Sequence, residues 1–289
     1  MVIACASGKG GTGKTLLAVS LALACSSSER IVFVDADVEA PNAHIFLKPD
    51  IEEERVVEAF SPRINEGKCD GCGKCADFCY FSALILVKRK VLFFSELCHS
   101  CGGCELVCPR GAIEEGAVEK GKIRKGVARE GIVFWEGRLK IGEPRAPAVI
   151  TELKKAAKKE FPDTLTIVDC PPGASCALVE AVRDADFCIL VTEPTPFGLS
   201  DLKAAFQAIQ ELGIPCGVVI NKAGIGGGSI LGFCEEKGIP ILGEIPYRRS
   251  IAEKYARGLT LVDGEDNLKR EVLAIYQALR RVALKGAES

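Results

Sequence analysis

Neither sign of charge dominates these 289 residues: 37 Lys and Arg oppose 39 Asp and Glu, for a net charge of −2. That balance lacks the electrostatic signature of a chain built to grip nucleic acid or an anionic membrane. No apolar run reaches the ~20 residues of a membrane-spanning helix. The nearest is 16–25, which follows Lys14 and ends in Leu23-Ala24-Cys25. It has a faint likeness to a signal peptide with a lipoprotein cleavage site. The same residues continue directly from a glycine-rich loop, and cleavage there would discard the most informative motif in the chain. A buried helix is therefore expected. Apart from one doubled cysteine run, the sequence carries no internal repeat.

Cysteine is the residue in excess. There are fifteen, an odd number, and eight of them fall between Cys69 and Cys108. Secreted disulfide scaffolds are short chains with paired cysteines, and this chain is neither. Most of the other cysteines sit in apolar stretches such as 2–6 and 187–191, where a free thiol behaves as a small hydrophobe. A reducing, cytoplasmic setting is expected. With 48% hydrophobic and 26% charged residues the chain is globular, and its length suits one large domain with a small insert.

Apolar strands alternate with amphipathic helices on either side of a cysteine-rich interruption. Ahead of it come a strand at 2–6, a glycine-rich loop at 8–13, a helix at 14–25 and a strand at 30–34. Beyond it, helices are expected at 148–160, 176–183, 199–212 and 230–237. Strands follow them at 164–168, 187–192, 216–220 and 240–243. Leu268, Val272, Ile275, Leu279 and Val282 recur at helical spacing and predict a further helix, with Arg280, Arg281 and Lys285 on a solvated outer face. The alternation predicts an α/β fold, a doubly wound, mostly parallel sheet covered on both faces. Hairpins are expected within 116–142, where glycine and charge punctuate β-like runs such as 131–135. The chain thus divides into 1–60 with 116–289, and a small inserted α+β unit at 61–115.

Gly8-Lys9-Gly10-Gly11-Thr12-Gly13-Lys14-Thr15 matches G-x-x-x-x-G-K-[ST] between a strand and a helix, the context that gives this pattern its meaning. Its glycines let backbone N–H groups turn inward around phosphate oxygens, and the helix N-terminus adds a favourable dipole. Lys14 would reach the β- and γ-phosphates, and the Thr15 hydroxyl would bind Mg²⁺. With Lys9 included, the stretch resembles the variant P-loop of the MinD/Mrp/ParA family and the nitrogenase iron protein. That resemblance implies an ATP-dependent homodimer in which Lys9 reaches the partner's phosphates and supplies positive charge where negative charge develops.

Val34-Asp35-Ala36-Asp37, followed by Asn42, resembles the family's first switch and implies that Asp37 orients the attacking water. Ile167-Val168-Asp169-Cys170-Pro171-Pro172-Gly173 resembles its Walker B strand and second switch, implying that Asp169 lies near Mg²⁺ through water. Acids at strand ends also serve as simple caps, though these are the usual ligand positions of such sheets. Asn221-Lys222-Ala223-Gly224 resembles the base-binding corner. It lacks the aspartate, two residues after the lysine, that would read guanine, so ATP is favoured over GTP. The catalytic set implied is Lys9, Lys14, Asp37 and Asp169.

Cys69, Cys72, Cys75 and Cys79 are spaced C-x₂-C-x₂-C-x₃-C, and Cys98, Cys101, Cys104 and Cys108 repeat the run. In ferredoxins three thiolates of such a run grip one 4Fe–4S cube and the fourth ligates the other. Cys69, Cys72, Cys75 and Cys108 are therefore expected to hold one cluster, and Cys98, Cys101, Cys104 and Cys79 its twin. Pro109 follows Cys108 as the pattern has it, whereas Tyr80 replaces the proline after Cys79. Gly71, Gly73, Gly102 and Gly103 suit a backbone wrapped tightly around a cube. Paired CxxC units also build zinc sites, a reading that does not account for two copies of the whole run.

Together the two halves resemble MinD-superfamily ATPases with an inserted ferredoxin domain, which implies ATP hydrolysis. Two roles remain open: nucleotide-driven gating of electron transfer to a redox partner, or delivery of clusters to an acceptor protein. A spatial organiser is a third class and needs no redox centre. Ligation by eight cysteines favours electron transfer, because fully ligated cubes are hard to hand over. The late paired CxxC of Mrp-type carriers has no counterpart, Cys216 and Cys234 being far apart. Cys176, seven residues after Asp169, has two readings. It is a buried thiol in a helix, or, by resemblance to the nitrogenase iron protein, a nucleotide-sensitive thiol facing its symmetry mate.

Overall fold

The computed structural model describes residues 1–224, 229–264 and 266–287, with the side chains of 284–287, and so the expected outer-face Lys285, outside the described part. Strand β1 (Val2–Ala6) feeds helix α1 (Lys14–Cys25), followed by β2 (Ile31–Asp35) and the short α2 (Ala43–Leu47). A long strand β3 (Asp50–Ile64) leads out to α3 (Lys74–Phe78), β4 (Leu84–Val87), β5 (Lys90–Phe93) and α4 (Gly103–Leu106), and β6 (Ile113–Val127) leads back. After β7 (Val133–Leu139) come α5 (Pro147–Glu160), β8 (Leu165–Asp169), α6 (Cys176–Val182), β9 (Phe187–Thr192) and α7 (Pro196–Glu211). Then follow β10 (Cys216–Ala223), α8 (Ser229–Lys237), β11 (Ile241–Pro246), α9 (Arg249–Ala256) and α10 (Asp266–Ala287).

Among the described residues nine strands form one sheet, in the order β11-β10-β9-β1-β8-β2-β7-β6-β3. Strands from β11 to β7 are parallel, and β6 pairs antiparallel with both β7 and β3. The chain leaves β1 in one direction and later returns on both sides of it, to β8 and β9. Such a switch point opens a crevice at the strand C-termini, and the glycine-rich loop follows β1 there.

Helix α1 is apolar almost throughout because it is buried throughout, between the sheet and α10. Phe33 and Phe134 stack beneath it at 6.1 Å between ring centroids. On the other face α5 to α8 cover a second core that includes Ile150, Leu153 and Leu178. Fully burying each such side chain is worth roughly 1.5–3 kcal/mol. Helix α7 starts at Pro196, ahead of the expected 199, because Thr195 caps it: its Oγ1 accepts from Gly198 N at 2.9 Å, with proline in the first turn.

The sequence patterns did not predict β3. Its first seven residues are all exposed, so no alternation of apolar and polar residues marks it as a strand. Paired with β6 from Asp50↔Val127 to Ile64↔Ile113, it makes a long two-stranded ribbon from the sheet to the cysteine-rich unit. The expected boundaries at 60/61 and 115/116 both fall inside this ribbon.

Candidate functional site

The loop after β1 is shaped by its glycines. Gly13 has φ +92°, and a Cβ there would stand 2.1 Å from the Asn221 amide nitrogen, so a residue without a side chain is required. Asn221 Nδ2 donates to Thr12 O at 2.7 Å, and Asn221 Oδ1 accepts from Lys222 N. Lys222 Nζ donates to Gly11 O at 3.3 Å. Asn221 and Lys222 therefore buttress the loop from behind and do not line the cavity in front of it. Gly8 backs against the Asp201 carbonyl.

That cavity, about 360 Å³, is lined by Lys9 to Leu16 together with Asp37, Asn42, Pro171, Ser175 and Tyr255. Three buried polar atoms beside it have no partner among the described residues: Thr12 Oγ1, Asn42 Oδ1 and Asp169 Oδ2. Unpaired buried polar groups are costly, and a magnesium-bound nucleotide presents the donors and acceptors that would satisfy them. Lys14, Thr15 and the loop amides fit such a ligand.

Lys14 Nζ lies 2.6 Å from Asp169 Oδ1 and 3.8 Å from Asp37 Oδ2. Burial works against its charge, but Asp169 and Asp37 hold the ammonium above the ordinary lysine range. Burial pushes the Asp37 carboxyl up to about 6, with Lys14 opposing and Asp169 and Glu39 adding to the rise. Burial and the neighbouring Asp169 raise Asp35 well above a usual carboxylate. Asp35 accepts from the amides of Asp37, Asn42 and Ala43 and so shapes the loop between β2 and α2.

Sheet register extends this cluster sideways. Asp35 stands opposite Asp169 on β8 and opposite Glu136 on β7, and all three carboxylates are fully buried. Glu136 is ion-paired with Arg124 and Arg138, and its Oε2 is 2.8 Å from His44 Nδ1 on α2. Arg124 in turn faces Glu54 on β3. Lys9 pairs with Glu193, which also takes Lys222 at 2.8 Å. Burial opposes the charge of Glu193, but the two lysines hold its carboxyl below the usual range. Glu193 and Glu136 were missed by sequence reasoning. Glu193, at the C-terminal end of β9, carries the same signal as Asp35 and Asp169, an acid where parallel strands end.

The cysteine-rich unit repeats its backbone twice. Gly71 and Ser100 precede the second cysteine of each run and have φ of +70° and +58°; Gly73 and Gly102 follow it at +81° and +72°. Ser82 and Gly111, three residues after each fourth cysteine, have φ of +52° and +55°. In both runs the second cysteine is exposed, the third is buried, and the first and fourth are intermediate. The short helices α3 and α4 pack together, and a Cβ on Gly103 would strike the Phe78 ring at 2.3 Å.

Two cavities result. One is lined by Cys69, Cys72, Cys75 and Cys108. The other is lined by Cys79, Cys98, Cys101 and Cys104. Each fourth cysteine thus borders the cavity of the other run rather than that of its own. Ala112 N donates to Cys108 Sγ at 3.2 Å and Ser100 N to Cys98 Sγ at 3.4 Å. Burial opposes Cys108 ionisation, yet the amides of Ala112, Arg110, Ile113 and Gly111 bring its thiol below the ordinary range. Among the described residues no three His, Cys, Asp or Glu side chains gather tightly enough to hold a metal ion as they stand. Cys176 is exposed at the start of α6, which overturns its reading as a buried thiol.

The CobQ/CobB/MinD/ParA nucleotide binding domain matches residues 3–262. The chain belongs to that family. An uncharacterized protein of Methanocaldococcus jannaschii is 31% identical over 267 residues, 92% of this chain and 93% of its own length. An iron-sulfur cluster carrier protein of Pyrococcus horikoshii is 25% identical over 282 residues, 91% of this chain and 80% of its own. Among solved structures, the septum site-determining protein MinD of Pyrococcus horikoshii, complexed with Mg-ADP, superposes with a TM-score of 0.59 at 18% identity. It covers all of this chain and 98% of that one. At such identity the likeness establishes the fold: this MinD/ParA-family chain has the mostly parallel α/β sheet of a P-loop nucleotide-binding ATPase. No helix among the described residues is long and apolar enough to cross a membrane.

Proposed function

We propose that this chain binds and hydrolyses ATP with Mg²⁺, and that nucleotide-dependent rearrangement of a homodimer gates electron transfer from two 4Fe–4S clusters to a partner protein. The observation that carries the reading is the lining of the two cavities, which separates the eight cysteines into the crossed sets that two cubes need. When bound, the clusters supply one-electron chemistry. The chain's own residues do the rest. Lys14, Thr15 and the loop amides hold the phosphates and Mg²⁺, Asp37 orients water, and Lys9 leaves Glu193 to meet the phosphates of the second copy. Residues 61–115 carry the clusters on the ribbon.

Chain purified without oxygen tests this directly: about eight iron and eight sulfide per chain are expected, with ATPase activity that needs Mg²⁺. Stoichiometric zinc without sulfide would sink it. A second reading, delivery of clusters to an acceptor protein, draws on the relatives named as iron-sulfur cluster carriers. Transfer of iron from loaded protein to an apo-ferredoxin on addition of ATP would favour delivery. Retention of iron with a nucleotide-dependent rate of oxidation would favour gating.

A further inference from the structure

Outside the ribbon, a strut with a buried root and a solvent-exposed tip joins the ATPase body to the cysteine-rich unit. Arg145, just ahead of α5, is 18% exposed and pairs through Nε with Glu143 Oε1 at 3.1 Å. The other oxygen of Glu143 takes Lys120 Nζ at 2.9 Å, and both of these side chains are nearly inaccessible. Burial opposes the charge of Glu143, but Lys120 and Arg145 hold its carboxyl below the usual range. Fixed in this way, Arg145 donates from Nη1 to Glu96 O at 3.0 Å and from Nη2 to Ser95 O at 3.4 Å. Ser95 O also accepts from Cys98 N at 3.2 Å. One carbonyl therefore serves both Arg145 and a cysteine of the second cavity.

The other end of the route is the nucleotide cavity. Asp169, paired with Lys14, opens the second-switch segment, and Pro171, Pro172, Ser175 and Ala177 line the cavity. Ala177 belongs to α6, which is bonded to α5: Thr151 Oγ1 donates to Glu180 Oε1 at 2.8 Å and Lys154 Nζ to Glu180 O at 2.8 Å. Packed and hydrogen-bonded chains of this kind carry coupling when one end has two arrangements. Among the described residues the first cysteine set lacks this link, joining the body through the ribbon at Asn65 and Ala112.

We propose that Arg145 is a positioning residue that relays nucleotide occupancy through α6 and α5 to the Cys98 loop, so that ATP acts on the second cysteine set and not the first. The inference rests on the gated-transfer reading, and names which set is gated and by which contact. The guanidinium fork reaches two carbonyls at once, which a lysine ammonium on a flexible stem does not reproduce.

The test is amide hydrogen exchange on the full chain, isolated without oxygen, with and without Mg-ATPγS, for the wild type, Arg145→Ala and Arg145→Lys. In the wild type, nucleotide should slow exchange across 95–101 by about 5-fold or more, with little change across 69–75. Both variants should lose that response while keeping nucleotide affinity within about 2-fold and wild-type iron content. Persistence of the response in both variants, or its absence in a nucleotide-binding wild type, overturns the relay. Arg145→Lys keeps the test open if Arg145→Ala fails to fold. Iron and sulfide analysis reports separately on the gated-transfer reading, so an exchange response in a chain without clusters would sink that reading and leave the contact route standing.

Discussion

Lys14 Nζ sits 2.6 Å from Asp169 Oδ1, with the lysine 6% exposed and the aspartate fully buried. The pair spans 155 positions of sequence and ties the phosphate loop to the C-terminal end of β8. It also neutralises part of a crowd of acids, since Asp35 and Asp37 lie beside it. Breaking a buried pair by removing one partner leaves an uncompensated charge. Asp169→Asn should therefore lower stability without nucleotide by about 3 kcal/mol, the low end of the usual range because Asp37 remains near Lys14. Urea unfolding would measure it, and a loss within error would mean that the pair is solvated in solution.

Asp37 sets a pH dependence whose sign follows from its environment. Its folded carboxyl is raised from 3.8 to about 6, so between those values the folded chain holds a proton that the unfolded chain has released. Stability is then full below about pH 4 and falls as pH rises through about 6. Asp37→Asn removes this loss. Without nucleotide it should be more stable than wild type by about 1–3 kcal/mol at pH 7, and no different below about pH 4. Equal stabilities at pH 7 would show that Asp37 ionises freely.

The parts legible in the sequence are those whose signal is local. The phosphate loop lies in eight consecutive residues between a strand and a helix, and the cysteine runs carry their own spacing. The alternation from β8 to β11 was plain because parallel strands buried on both faces read as apolar runs. The ribbon was not, because β3 is an exposed edge strand whose pairing with β6 lies some fifty residues on or more. Glu136 and Arg145 carried no local signal, and Glu193, though an acid at a strand end, carried none for its two lysine partners. Each acquires its role from partners distant in sequence, Glu136 from β2 and β6, Glu193 from Lys9 and Lys222, Arg145 from Ser95 and Glu96.

Glu193 holds Lys9 and Lys222 at once, so the lysine read as acting across a dimer is parked on a carboxylate in the single chain. Lys9→Ala should leave ATP affinity within about 3-fold, because Lys14 and the loop amides still hold the phosphates. It should lower turnover by about 10²-fold, the scale of removing one charge-stabilising donor. Sedimentation with Mg-ATP should show a wild-type dimer, accumulated further by Asp37→Ala. Normal hydrolysis by Lys9→Ala, or a monomer in every nucleotide state, would exclude the sandwich.

Cys79 gives the most selective check on the cysteine-rich unit. In sequence it closes the first run, four residues after Cys75, but it lines the cavity of Cys98, Cys101 and Cys104. If cavity lining marks ligation, Cys79→Ala should lower iron from about eight to about four per chain and spoil the cluster of the second run. Cys108→Ala should do the reverse, spoiling the cluster of Cys69, Cys72 and Cys75, which share its cavity. The two variants can be told apart by adding a second change. Cys75→Ala should reduce iron further in Cys79→Ala and hardly at all in Cys108→Ala, because only in the latter is its own cluster already damaged. If the pairings come out the other way, each run holds its own cluster and the crossed assignment is wrong. If both single variants lose all iron, the unit assembles only as a whole, and a reconstitution series with limiting iron would then be needed to order the two sets.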